Sequence, residues 1–252
     1  MIGRSFFFIL LSAALAPFVF GQRTPTEIVT LEKKAVTPER ELILWMKNPK
    51  KTPRDPEMEI YTCPEETRGH YYNGKAYVSL VNTKTKKVIN VLEIKGSEVT
   101  GDGEALDLPY LIHRGYYDVP EIDENREGKP VLMNLKDYND DGRAFEFALY
   151  DAVACMGLET TLIGYSPKRD RVIQYQTELK TGDKTFQKYW VDYFFPHRPV
   201  KKMFWQYEID YRGRGGAIDK YEIRYDQEKE KFFGTLKFET GDTNQIQFKI
   251  TK

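Results

Sequence analysis

From Trp205 onward the chain alternates apolar and polar side chains with period two. Trp205, Tyr207, Ile209 and Tyr211 interleave with Gln206, Glu208, Asp210 and Arg212; Tyr221, Ile223 and Tyr225 interleave with Glu222, Arg224 and Asp226. Phe232, Gly234, Leu236 and Phe238 continue the pattern, and Ile246, Phe248 and Ile250 close it. Successive side chains of a strand point to opposite faces, so each run has one apolar face and one wet face. The interruptions, Gly213-Arg214-Gly215-Gly216, Gln227 to Glu230 and Gly241 to Asn244, are turn-formers. The prediction is a four-stranded antiparallel meander. Setting Tyr211 opposite Tyr221 pairs Ile209 with Ile223, Tyr207 with Tyr225, Glu208 with Arg224 and Asp210 with Glu222. A slip of one residue would expose the whole apolar set.

Upstream, Ala76–Val81 and Val88–Ile94 flank a polar, cation-rich turn and read as a hairpin. Thr160–Tyr165 and Arg171–Tyr175 read as another, around Ser166-Pro167-Lys168-Arg169-Asp170. Tyr110–Tyr117 and Pro130–Leu135 are further strand candidates. Phe145, Phe147 and Leu149 alternate with Ala144, Glu146 and Ala148, which argues a strand to about Tyr150 and then a helical turn. Residues 22–56 read as an extended N-terminal segment and linker, with three prolines between Pro49 and Pro56. Within it, Leu42-Ile43-Leu44-Trp45-Met46 reads as a buried strand. Residues 57–252 are assigned to a single β-rich domain. The fold class is mainly β: an antiparallel β-sandwich in preference to a partly closed barrel, with the C-terminal meander as its clearest part. Aromatic residues make up 14% of the chain, which suits a β core.

Residues 1–21 read as a secretory signal peptide: Arg4 is followed by the apolar run Phe6–Leu15 and a cleavage site before Gln22. The expected location is secreted or periplasmic, with no membrane attachment after cleavage. In that compartment Cys63 and Cys155, the two cysteines of the chain, are expected to form a disulfide, against the alternative of two buried free thiols. Thirty-eight basic and 38 acidic side chains cancel, so no global field draws nucleic acid.

The motif with chemical content is Asp137-Tyr138-Asn139-Asp140-Asp141-Gly142-Arg143-Ala144-Phe145-Glu146. Short oxygen-bearing side chains at alternate positions, followed by glycine at the sharp turn, match the first half of a calcium loop. The glutamate that ends an EF-hand loop is missing, since Ala148 holds that position. The segment resembles more closely the D-x-N-x-D-G loops of the FG-GAP and VCBS repeat families, which lead directly into a strand. That resemblance covers these ten residues only and implies a structural calcium ion. Its ligands would be Asp137, Asn139 and Asp141, the Arg143 carbonyl, and Glu146. An Asx-rich turn without metal is the alternative.

Other chemistry is sparse. His70, His113 and His197 lack zinc-site spacing, and no nucleophile elbow or phosphate loop occurs. The expected function is therefore a non-catalytic protein that binds an extracellular protein or glycan. Tyr71, Tyr72, Tyr116, Tyr117, Tyr189, Trp190, Tyr193, Phe194 and Phe195 are candidates for stacking on sugars, against the alternative of core packing. The competing reading is a glycosidase-like hydrolase. It would pair one carboxylate from Asp118, Glu121, Asp123 or Glu124 with Glu146 or Asp151.

Overall fold

The computed structural model describes residues 26–52, 71–96, 106–108, 131–153, 157–192, 194 and 196–239. The N-terminal 21 residues, Cys63, Cys155, the acidic loop from Asp118 to Gly128, the strand candidate Tyr110–Tyr117 and the last meander strand at 246–250 lie outside them.

The alternating patterns become strands. In chain order these are β1 (Ile28–Thr37), β2 (Arg40–Lys47), β3 (Lys50–Thr52), β4 (Tyr71–Gly74), β5 (Ala76–Asn82), β6 (Val88–Glu93), β7 (Leu106–Leu108) and β8 (Glu146–Val153). They continue with β9 (Gly157–Ser166), β10 (Arg171–Gln174), β11 (Thr177–Thr181), β12 (Lys184–Lys188), β13 (Trp190–Asp192), β14 (Phe204–Asp210), β15 (Ile218–Asp226) and β16 (Lys231–Glu239). The protein is mainly β, and among the described residues no sheet closes into a barrel.

Four sheets form. The first runs β1-β2-β5-β6 and the second β10-β9-β13, with β8 also paired to β9. The third runs β12-β11-β16-β15-β14, and the fourth is the small sheet β3-β4-β7. One continuous core joins them, from Leu42, Leu44 and Val78 through Phe147 and Ile163 to Trp205, Ile223 and Phe232. The lead-in thus belongs to the fold: β2 lies between β1 and β5, and Leu42, Leu44 and Met46 are fully buried. On its other side Trp45 stacks on Tyr77 at 4.5 Å and donates its indole N–H to Ser79 at 2.8 Å.

Side-chain amides tie the first sheet to the second. Asn90 on β6 donates to the Val172 carbonyl at 3.1 Å and accepts the Val172 N–H at 3.0 Å. Gln174 does the same with the backbone of Lys95, accepting its N–H at 2.8 Å and donating to its carbonyl at 3.1 Å. The turn between β9 and β10 is clasped by Arg40, whose guanidinium meets Asp170 through two hydrogen bonds of 2.8 and 2.7 Å.

The C-terminal alternation folds as expected: Trp205, Tyr207, Tyr221, Ile223 and Tyr225 are buried, while Gln206, Glu208, Glu222 and Arg224 are exposed. The register differs from the one that pairs Tyr211 with Tyr221. Tyr207 opposes Tyr221, Trp205 opposes Ile223, and Glu208 opposes Lys220 rather than Arg224. The cause is the connection. A 3-10 turn at Arg212–Arg214 and a left-handed Gly215 (φ +83°) close it, and the Tyr211 N–H bonds to the Ala217 carbonyl at 3.0 Å. Asp210 then opposes Ile218 rather than Glu222. A slide by an even number of residues leaves every side chain on its own face, so the alternation does not oppose it. The other neighbour of β16 is β11, which runs parallel to it. The sheet is therefore mixed where β16 was expected to continue a purely antiparallel meander.

Two local expectations are corrected. Residues 132–135 form no strand; the Lys136–Glu146 bridge follows them. Strand β8 runs through to Val153 without a helical turn after Tyr150.

Candidate functional site

The loop from Asp137 to Glu146 is built by its own short side chains. Asp137 Oδ1 accepts the Asp141 N–H at 2.9 Å, and its Oδ2 accepts the Gly142 N–H at 2.8 Å. Asn139 Oδ1 accepts the Asp141 N–H at 3.0 Å, and Asp141 Oδ1 accepts the Arg143 N–H at 3.0 Å. Asp140 and Gly142 sit at φ +60° and +92°, a conformation Asp tolerates and Gly adopts freely. The Lys136 N–H donates to the Glu146 carbonyl at 2.8 Å and closes the base of the loop. Asp140 Oδ2 accepts the Met203 N–H at 2.7 Å, which fastens the loop to the start of β14.

Behind the loop lies Glu146, 1% exposed at the first position of β8. Its Oε2 accepts the Tyr138 N–H at 3.3 Å. Its Oε1 accepts from Asn139 Nδ2 at 3.2 Å and from the Tyr175 hydroxyl at 3.3 Å. Burial pushes this carboxyl up to about 8, and the nearby Asp141 and Asp137 carboxylates add to the shift. Burial, followed by the charge of Glu146, also raises the Tyr175 hydroxyl well above its ordinary range. Tyr175 packs edge-on against Tyr225 and Phe232, with centroids 5.9 and 6.0 Å away. The loop is therefore anchored in the aromatic interior of the third sheet.

The loop from 137 to 146 carries Asp137, Asp140, Asp141 and Glu146 against one guanidinium, Arg143. Arg143 Nη2 meets Asp141 Oδ2 at 2.7 Å. Among the described residues, no three His, Cys, Asp or Glu side chains already converge as a metal-binding group. The carboxylate of Asp137 is turned onto loop N–H groups, and that of Asp141 onto Arg143. The donor set nevertheless suits calcium, since it consists of hard oxygens on a flexible turn. By donating to Glu146, Asn139 Nδ2 turns its Oδ1 toward the loop, the kind of outer contact that orients a metal ligand.

The other candidates separate. Phe194 is fully buried, edge-on to Trp205 at 5.0 Å and to Phe232 at 5.2 Å, so it is a core side chain. Tyr71, Tyr72 and Tyr189 are half-buried, and Tyr189 accepts from Gln176 at 3.2 Å. His197 stacks on Tyr207 at 4.3 Å, and burial lowers its pKa. Tyr116, Tyr117, Tyr193, Phe195, His70, His113 and the acids at 118–124 lie outside the described residues, as do the side chains of Trp190 and Asp151.

A groove on the third sheet corresponds to none of the sequence motifs. Its wall includes Phe186 and Lys188 from β12, and its lip is formed by Phe238 of β16. The signal for it was local: Gly182-Asp183 is a hairpin turn, and Lys184-Thr185-Phe186-Gln187-Lys188 alternates after it. Comparison with family models, with curated proteins and with solved structures gives no match to this chain.

Proposed function

We propose that this chain is a non-catalytic binding protein of the extracellular or periplasmic space, and that a calcium ion holds its 137–146 loop. The side-chain oxygens of Asp137, Asn139 and Asp141 and the carbonyl of Arg143 would hold the ion, with Glu146 completing the charge balance. The carrying observation is Glu146: a buried carboxyl pushed up to about 8, first by burial and then by the charges of Asp141 and Asp137. Carboxylates gathered with so little countercharge are stabilised by a divalent cation, which reverses the local pKa logic. Calcium would supply positive charge and fix the turn that enters β8.

A hydrolase reading gains little from the same residue. A raised carboxyl pKa marks a candidate acid, but Glu146 is closed off by Tyr138, Asn139 and Tyr175. It does not line the groove on the third sheet.

Thermal melting in excess calcium and in chelator tests the ion. At 100 times its dissociation constant, a ligand adds about 2.7 kcal/mol, which raises the midpoint of a chain this size by about 5–10 °C. An unchanged midpoint overturns the calcium site. Turnover on a panel of chromogenic glycosides would overturn the non-catalytic reading.

A further inference from the structure

The face of the third sheet that carries Leu179 and Tyr221 ends in an open groove of about 490 Å³. Its deep end is formed by Leu179, Tyr221 and Val191, all buried. Its outer end is formed by Phe186 and Phe238, which are 42% and 56% exposed. Two large aromatic side chains are thus left in water at the mouth of an apolar trough. The volume lies within the range of small-ligand pockets, about 300–1,000 Å³.

Two of the three charged side chains that line this groove are cationic. Lys184 and Lys188 sit four residues apart on the edge strand β12 and line the same wall. Neither has an ion-pair partner among the described residues. Asp219 is the acid on the opposite wall, and it is not free. An apolar trough bordered by two ammonium groups without an ion-pair partner among the described residues complements a molecule with an apolar body and an anionic head. Leu179, Val191 and Leu236 give the trough an aliphatic floor against which an acyl chain can lie.

We propose that this groove binds a free single-chain amphiphile with a carboxylate head, a fatty-acid-type anion. The acyl chain lies against Leu179, Leu236 and Tyr221, and the carboxylate reaches Lys184 or Lys188. The inference names a ligand class for the binding-protein reading and rests on it, but it is independent of the calcium loop.

The test is calorimetric titration of the full chain with octanoate, decanoate and dodecanoate below their micelle concentrations. The expected result is saturable one-site binding that tightens about threefold to fourfold per added methylene. K184Q/K188Q should weaken dodecanoate about tenfold at low salt, and 1-dodecanol should bind more weakly than dodecanoate by a similar factor. Phe238→Asp should abolish binding while leaving the melting midpoint in place, because Phe238 is largely exposed. Four results overturn the proposal: no saturable binding; affinity that ignores both lysines; binding that appears only after deletion of residues 240–252, which would make that segment the occupant; or binding to phosphatidylglycerol vesicles with none to monomeric dodecanoate. Such a failure leaves the non-catalytic reading intact, since that reading falls only with glycoside turnover.

Discussion

Replacing Glu146 with glutamine separates the charge of this residue from its shape. Burial and the neighbouring aspartates raise its pKa from 4.5 to about 8 in the folded chain. A folded-state pKa above the unfolded one means that the native state holds the proton more tightly. The resulting stability is fully present below pH 4.5 and is lost as the pH rises through about 8. At about 1.4 kcal/mol per pH unit, the gap corresponds to about 5 kcal/mol across that window. In chelator, the urea midpoint of the wild-type chain should therefore fall steadily between pH 4.5 and 8. Glu146→Gln cannot ionise. Its amide oxygen can still accept from Asn139 and Tyr175, but its NH2 replaces the oxygen that accepts the Tyr138 N–H. The variant should lose about 1–2 kcal/mol at the acid end, lack this component of the slope, and be the more stable of the two at pH 8. In calcium the wild-type slope should flatten, because the ion compensates the charge. A wild-type midpoint independent of pH, or an equal slope in Glu146→Gln, would refute the assignment of a buried, proton-holding carboxyl.

Leu44→Ala should cost about 2–5 kcal/mol in urea unfolding, because Leu44 is fully buried in β2; a change below about 0.5 kcal/mol would mean that residues 28–47 do not belong to the cooperative unit. Gly234→Ala should cost about 1–3 kcal/mol, since a Cβ there would lie 2.6 Å from the Glu222 carbonyl oxygen and 3.2 Å from Leu179. Gly213→Ala, with no atom within 4 Å of its added Cβ, is the control and should melt close to wild type. Asp170 sits at φ +47° and receives both Arg40 bonds and the Tyr165 hydroxyl. Its pKa is lowered by Arg40, so its contribution is present above the ordinary aspartate range and fades as the pH falls. Asp170→Ala should therefore lower the melting midpoint more than Asp170→Asn, which tolerates the left-handed backbone, and the difference from wild type should shrink at acid pH.

The strands that could be read in advance are those with one wet face. β14 and β15 announce themselves because Tyr207, Tyr221 and Ile223 are buried while Glu208 and Glu222 are not. Alternation reports the face of a residue and its parity, and nothing about even-numbered slides. The register of β14 against β15 was decided by the closing 3-10 turn, whose Arg and Gly residues fit several connections. β11 escaped notice because a parallel neighbour has no turn linking it to its partner, and Thr177–Thr181 meets β16 across more than 50 intervening residues. β1 was hidden by the consecutive Lys33 and Lys34, which break the alternation and which an edge strand tolerates. At the loop, the aspartates, Asn139 and Gly142 were legible because turn chemistry is local. The burial of Glu146 was not, since its cover comes from Tyr175, 29 residues further along.

These misses have a common physical origin. Apolar side chains decide which face of a strand goes inward, but an apolar contact has no direction, and one buried face accepts another equally well from several partners. The choice of partner falls to groups whose bonds have direction. Asn90 joins β6 to β10 across 82 residues, and Gln174 returns the contact to Lys95. Glu32 of β1 receives the N–H groups of Leu132 and Met133 across 100 residues, at 2.6 and 3.1 Å. Each of these side chains, moved to a different sheet arrangement, would leave backbone groups buried without partners at about 1–3 kcal/mol apiece. The interior carboxyl at Glu146 follows the same logic: a leucine there would satisfy the core but remove the acceptor that the Tyr138 N–H, Asn139 Nδ2 and the Tyr175 hydroxyl share. Its presence ties the 137–146 loop to one place in the fold, and a divalent cation that displaced its proton would find there a third carboxylate beside Asp137 and Asp141.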